Sequence, residues 1–279
     1  MILSPLELEK VFLEAHEIAL KFFKSATLQI ENKADLSPVT QADHALNEYF
    51  LETLTKIIPG SAVLGEEGST GIHDQALPQY CWILDPIDGT KEFISGTDEW
   101  AVQLCLYEKN EGCLLSILSQ PTRKLFSYAQ KGKGAFTKDI STGVTTQLKA
   151  SQKSSSHEAT LLASKSRKDL WTESILKNHP FKNTNSVGSI GLKSLEIASG
   201  RADFYMNGDQ KCGAWDIFPC LPFLIESGAD FWTSKDLNWK EEIKNKNIQA
   251  HFAFGTKGLI QNLKADLTAS VSSATSSTT

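Results

Sequence analysis

The chain has 279 residues, 41% of them hydrophobic and 22% charged, an ordinary globular composition with room for a sizeable core in one large domain or two fused halves. A net charge of -5 argues against a general nucleic-acid binder, which needs a basic face, and implies that any phosphorylated substrate is met by metal ions that reverse the local field. The five cysteines form an odd set without a CxxC pair and sit mostly in apolar runs, which reads as buried thiols in a reducing compartment rather than disulfides or a zinc site.

The N-terminal stretch SPLELEKVFLEAHEIALKFFKS opens with a capping box from Ser4 to Glu7, has Pro5 at the first helical position, and repeats apolar residues at helical spacing. It predicts an amphipathic helix rather than a signal peptide. No apolar run of about 18 or more residues is present to span a membrane. A second helix is predicted from Thr40, whose hydroxyl caps it, with Leu46, Tyr49, Phe50, Leu54 and Ile57 turned inward and Pro59 and Gly60 ending it. From Cys81 to Phe136, short apolar runs separated by turn residues read as a largely antiparallel sheet, with Gly132 to Gly134 as a turn.

The polar stretch STGVTTQLKASQKSSS that follows is either a boundary between halves or a surface hairpin. Beyond it come a strand TLLAS, a helix IGLKSLEIASG, a strand ADFYM and a segment AWDIFPCLPFLIESGA of helical length, in which Pro222 predicts a kink. The tail from Ala269 to Thr279 is low-complexity and predicts disorder.

Four acidic elements stand out. In DPIDGT, Pro86 fixes a backbone angle and Gly89 permits a close turn, so Asp85 and Asp88 leave an apolar strand on a rigid element. Two carboxylates so placed suit a hard divalent cation such as magnesium, yet the same letters also spell an ordinary turn with a helix cap. Glu66 and Glu67 in LGEEGS follow an apolar strand and could equally be a solvated loop. Asp43 lies in a first helical turn, where the dipole favours an acid, and Asp216 of AWD could cap its own helix. None of the six histidines lies in these elements, so proton transfer by imidazole is not suggested.

Taken in order and spacing, SPVTQAD, GEEG, WILDPIDGTKEF, VGSIGLKSLEIASGRADFY and AWD resemble the inositol monophosphatase superfamily of magnesium-dependent, lithium-sensitive phosphatases, from Glu7 to Leu263. The resemblance implies an α/β fold, a five-layered α-β-α-β-α sandwich. Residues 1–145 would form an α+β half carrying most metal ligands, 146–266 an α/β half with the substrate pocket, and 267–279 a disordered tail. It implies that Glu66, Asp85, Asp88, Asp216 and the carbonyl of Ile87 hold two or three magnesium ions. By the same mapping Glu66 and the Thr90 hydroxyl orient the attacking water, and Asp43 assists.

Lys91-Glu92-Phe93, Lys193 and the SKSR of residues 164–167 look like the 3'(2'),5'-bisphosphate nucleotidase branch, which hydrolyses 3'-phosphoadenosine 5'-phosphate to AMP and phosphate. Gly89, Thr90, Lys91, Gly188 and Ser189 are then substrate contacts, with Lys193 on a half-exposed helix as the cation for the second phosphate. FISG before Trp100, Gln120-Pro121, Pro222 and Asp209 look instead like the inositol-phosphate and histidinol-phosphate branches, and a sugar bisphosphatase shares the same metal core. A catalytically silent regulatory homologue is the alternative of another class. Bulky Phe218 and Pro219 after Asp216 depart from the small residues of most relatives and predict a shifted ligand or a smaller pocket. The resemblance further implies a cytoplasmic protein with a small phosphorylated substrate, no nucleic-acid polymer and no membrane span, and it admits a homodimer, with Trp100, Phe126 and Phe136 as interface or core residues.

Overall fold

A computed structural model of the chain describes residues 3–34, 36–72, 78–165, 169–208 and 212–275, with backbone alone for 239, 244 and 272–275. After a turn of 3-10 helix at Pro5–Leu8, capped by Ser4 and Glu7 as the sequence predicts, come helix α1 (Glu9–Phe22), a hairpin of β1 (Ile30–Asn32) and β2 (Pro38–Thr40), and α2 (Gln41–Ile57). Strands β3 (Ala62–Gly65), β4 (Ser69–Thr70) and β5 (Tyr80–Asp88) lead to the short α3 (Thr90–Ile94). The strands β6 (Ala101–Glu108), β7 (Gly112–Gln120), β8 (Leu125–Gln130), β9 (Gly134–Asp139) and β10 (Thr145–Gln147) complete an eight-stranded sheet in the order β10-β9-β8-β7-β6-β5-β3-β4. Its neighbours from β5 to β10 are antiparallel, as the run-and-turn pattern predicts, and the polar stretch after Asp139 supplies the hairpin strand β10.

The second sheet is built from β11 (Thr160–Ala163), β12 (Asn183–Ser186), β13 (Phe204–Asn207), β15 (Ala229–Thr233) and β17 (Phe252–Thr256), in the order β12-β11-β13-β17-β15. A two-stranded ladder joins β14 (Cys212–Gly213) to β16 (Asn247–Ile248). Between these strands lie α4 (Leu170–Asn178), α5 (Ile190–Ala198), α6 (Ala214–Ile217), α7 (Cys220–Ser227) and α8 (Trp239–Asn245), and α9 (Lys257–Thr275) closes the described chain.

The layering follows from the period of two along each strand. On β5, Trp82 and Leu84 point to the core beneath α1 and α2, where Phe12, Leu46 and Phe50 are buried, while Cys81 and Ile83 point to the opposite face, toward α6 and α7. On β17, Phe252 and Phe254 enter that same central core, and Ala253 faces the outer helices α4 and α9. The result is a five-layered α-β-α-β-α sandwich, in which each buried Leu or Phe contributes about 1.5–3 kcal/mol. Trp100 and Phe126 are fully buried in the core under α1 and α2, which excludes them from an interface. Among the described residues, no helix is long and apolar enough to cross a membrane.

Two expectations are corrected. The serine-rich stretch from Ala269 is helical to Thr275 rather than disordered, because Val271 extends the buried stripe of Leu259, Ile260, Leu263 and Leu267 by one more turn. The long segment after Ala214 does not kink at Pro222. It breaks earlier, at Phe218 and Pro219, so that Pro222 becomes the third residue of α7, where its missing N–H would have had no partner within the helix. Phe218 is itself fully buried, edge-on to Tyr107 at 5.8 Å, and does not line the cleft that holds the acidic cluster.

One polar contact pins α1 to the sheet. Ser119 on β7 donates to the Leu125 carbonyl (3.2 Å), so it must accept from His16 Nε2, 2.5 Å away, and burial pushes the His16 imidazole down to about 4. The unfolded chain takes this proton near pH 6.5 and the folded one resists it until about 4, so protons favour the unfolded chain and stability declines as pH falls through that window. The His16 share of this is a loss on the order of 2 kcal/mol between pH 7 and pH 5, read as the difference in pH dependence between wild type and His16→Leu, because buried carboxyls with raised values shift stability the other way over the same range. Thermal melts at the two pH values check it: on acidification wild type loses stability relative to His16→Leu, and an identical pH dependence of the two proteins refutes the assignment.

Candidate active site

The site grows from the end of β5. Asp85 pairs with Gln103 and Asp88 with Ala101 on β6, three steps on one strand against two on the other, so a bulge lies between the two aspartates. Pro86 sits inside this register break, where the ladder needs no donor from it. The Ile87 N–H donates back to Asp85 Oδ1 (3.0 Å), and the Thr90 hydroxyl donates to the Ile87 carbonyl (3.2 Å). Gly89 turns the chain with φ +100, and a Cβ there would lie 2.8 Å from the Glu99 carbonyl oxygen, so only glycine fits.

Asp88 is gripped from across the molecule by the start of α5. Its carboxylate accepts from the Ser189 hydroxyl (2.5 Å) and from the backbone N–H groups of Ile190 (3.1 Å) and Gly191 (2.6 Å). Ser189 adopts φ 38, a conformation uncommon for a residue with a side chain; its hydroxyl is fixed on both sides, donating to Asp88 and accepting from Leu192 N–H at 2.9 Å. Asp216 lies in the first turn of α6 and accepts from Gly213 N–H (2.7 Å), so the cap reading of this residue is realised while its carboxylate also lines the cleft. Oxygens of Asp85, Asp88 and Asp216 lie within 4.8 Å of one another.

Glu66 follows the last residue of β3, where its N–H donates to the Leu84 carbonyl (3.2 Å). Lys33, from the β1–β2 hairpin, donates to Glu66 Oε1 (2.6 Å) and Glu67 Oε1 (2.5 Å). Burial alone would push the Lys33 ammonium down, but the two carboxylates outweigh it and hold the proton above the usual lysine range. Burial pushes Glu66 up despite Lys33. Asp85 is pushed well above the usual range, first through burial and then through the charges of Glu66, Asp88 and Asp216. Asp43 caps α2 through Thr40 N–H (2.8 Å) and the Thr40 hydroxyl (2.6 Å), with no place on the cleft wall, and burial pushes its carboxyl up to about 7.

Such crowding of hard oxygens is what a divalent cation of the magnesium or calcium type requires, and the donor set fits one. The cleft around it holds about 490 Å³. Its walls include Gly89, Thr90, Lys91, Gly188, Ser189 and Lys193, all named from the sequence. Lys193 is corrected in one respect: it is buried rather than half-exposed. Its ammonium donates to the carbonyls of Gly188 (2.8 Å) and Ser189 (3.1 Å) and lies 5.0 Å from the Tyr205 ring centroid. Asp209 lies outside the described residues, as do Ser166 and Arg167 of the SKSR stretch. Glu92 and Lys165, which the sequence singled out within Lys91-Glu92-Phe93 and SKSR, also line the cleft, and sequence reasoning missed Lys33 there, because an isolated charge in a polar stretch carries no local signal. Phe218 does not border this cleft, so the expected shrinkage of the pocket by its bulk does not occur.

The profile of the Inositol monophosphatase family matches residues 6–270. The 3'(2'),5'-bisphosphate nucleotidase CysQ of Haemophilus influenzae is 31% identical over 234 residues, covering 80% of this chain and 83% of that protein. The histidinol-phosphatase of Mycobacterium tuberculosis is 30% identical over 229 residues, covering 80% and 84%. The crystal structure of the extragenic suppressor protein suhB from Bartonella henselae shares the fold with a TM-score of 0.76 at 20% identity, covering 95% of this chain and 98% of that one. The chain belongs to the inositol monophosphatase family and is a phosphatase.

Raised carboxyl values mean that the folded chain holds protons more tightly than the unfolded one, so their stabilising effect is lost as pH rises. For Asp43 that window runs from the ordinary value of 3.8 to about 7. In the presence of chelator we expect the urea midpoint to fall between pH 6 and pH 8, and Asp85→Asn to raise it at pH 8, a gain on the order of 1–2 kcal/mol in unfolding free energy by relieving repulsion. Equal midpoints for wild type and variant would contradict this charge crowding.

Proposed function

We propose that this phosphatase is a magnesium-dependent phosphomonoesterase of the cytoplasm that hydrolyses 3'-phosphoadenosine 5'-phosphate to AMP and phosphate. The observation that carries the reading is the convergence of Asp85, Asp88 and Asp216 within 4.8 Å at the floor of a cleft whose walls include several lysines. In this reading Glu66, Asp85, Asp88, Asp216 and the Ile87 carbonyl hold magnesium. When bound, magnesium neutralises phosphate charge and lowers the pKa of the attacking water.

The chain's own groups supply the rest. Glu66 is the carboxylate that takes the water proton, and the Thr90 hydroxyl, now donating to Ile87, turns to orient the water. Gly89 leaves the backbone bare beside the phosphate, since no side chain fits there. Lys193 braces the Gly188–Ser189 turn, and the better-placed cations for a second phosphate are the exposed Lys91 and Lys165, which pairs with Glu99 at 2.9 Å. A phosphate on that lysine would replace one anion with another.

One observation favours a second reading. Glu92 stands half-buried in the cleft wall, and burial raises its carboxyl above the usual range. A carboxyl there suits the hydroxyl or ammonium of an inositol or histidinol phosphate better than a second phosphate.

Phosphate release from 3'-phosphoadenosine 5'-phosphate, inositol 1-phosphate, histidinol phosphate and fructose 1,6-bisphosphate, with magnesium and with chelator, decides between them. We expect chelator to abolish release and the nucleotide to lead in kcat/KM by about a hundredfold, near 2.7 kcal/mol of transition-state discrimination. Lys165→Ala should reduce the nucleotide rate alone. A lead for inositol or histidinol phosphate that collapses in Glu92→Gln would overturn the nucleotide assignment in favour of the second reading.

A further inference from the structure

We infer that Gln103 is a positioning residue that sets the spacing of the three clustered aspartates, an inference that rests on reading that cluster as the cation-holding centre. Gln103 is fully buried on β6, directly opposite Asp85 at the last ladder pair before the bulge. Its Nε2 donates to Asp85 Oδ2 (3.3 Å) and to the carbonyl of Trp215 (3.1 Å), the residue before Asp216. Both partners are acceptors, so the nitrogen must face them and the orientation of the amide is fixed.

The other end of the same amide meets the third element. Among the described residues Gln103 Oε1 is buried without a hydrogen-bond partner, and a Cβ placed on Gly191 would lie 2.4 Å from it. Gly191 N–H is one of the groups that grips Asp88. One side chain is therefore wedged between β5, α6 and α5, the elements that deliver Asp85, Asp216 and the clamp on Asp88.

Packing alone does not explain an amide here. A methionine would fill the same length and leave no buried oxygen without a donor. What the amide adds is a hold on Oδ2 of Asp85, whose Oδ1 is already fixed by Ile87 N–H. Magnesium tolerates little geometric slack, and groups that orient its ligands typically alter affinity 10–100-fold.

The test measures binding of magnesium by calorimetry, and of manganese by electron paramagnetic resonance, to the full chain and to Gln103→Met. We expect affinity to fall roughly 10–100-fold, the half-activating magnesium concentration to rise by the same factor, and kcat at saturating magnesium to stay within a few fold. Melting temperature in chelator should stay level or rise, since the orphan oxygen is gone. Ser116→Ala, which removes a buried hydroxyl on the neighbouring strand β7, should leave affinity unchanged. If Gln103→Met does not fold, Gln103→Asn keeps an amide one methylene too short to reach Oδ2 and carries the same expectation.

Wild-type affinity in a folded Gln103 variant, with an unchanged magnesium requirement, overturns the positioning role alone. Absence of metal binding by the wild type itself overturns that role together with the reading of the centre on which it rests.

Discussion

Like charges held close together in a buried place are the constraint around which this molecule is arranged. Asp85, Asp88, Asp216 and Glu66 meet at one end of a buried strand, and Asp85 is pushed up by burial and by each of the others. Water would screen such a cluster, but a buried one must be held by fixed donors. Backbone N–H groups of Ile87, Ile190, Gly191 and Gly213, the Ser189 hydroxyl and the Lys33 ammonium supply them. Those donors come from distant parts of the chain. The acidic centre is therefore also where α5, α6, β5 and the first hairpin are obliged to meet.

That obligation accounts for several local irregularities. A regular β5 would send Asp85 and Asp88 to opposite faces, since they are an odd number of residues apart; the bulge between them lets both face the cleft. Proline is tolerated there because the ladder is already broken. Ser189 holds an uncommon backbone conformation because its hydroxyl is fixed by Asp88 on one side and Leu192 on the other. Gly191 has no side chain because Leu118, Gln103 and Asp88 already fill the space. These departures from regular geometry cluster at the functional centre, where surrounding contacts over-determine them.

The parts legible in the sequence are those governed by local rules. The Ser4 and Thr40 caps, the inward face of α2, the antiparallel run from Tyr80 to Asp139 and the four acidic motifs depend on residues a few positions apart. What local rules do not reach depends on how elements pack against one another. Lys193 looks half-exposed on its own helix, but Tyr205 and the carbonyls of Gly188 and Ser189 enclose it. The serine-rich end reads as disordered by composition, yet Val271 continues a stripe set by the core beneath it. Gln103 and Lys33 were invisible for the same reason. Their partners are 18 and 33 residues away or more, across strands whose register no local pattern fixes.

The cation inventory of the cleft bears on how substrates can be told apart. Lys33 is taken by Glu66 and Glu67, Lys165 by Glu99, and Lys193 by two carbonyls and an aromatic ring. Recruiting one of these three to a substrate phosphate therefore means exchanging an existing contact, and the net gain is the difference between the contact made and the contact given up. The exchange is least costly at Lys165, which is the most exposed of the three and whose partner Glu99 keeps a second donor in Gly188 N–H at 2.6 Å. It is most costly at Lys193, where leaving the carbonyls would strand a buried turn. What these three lysines can offer a phosphate thus depends less on their number around the centre than on which of them can let go.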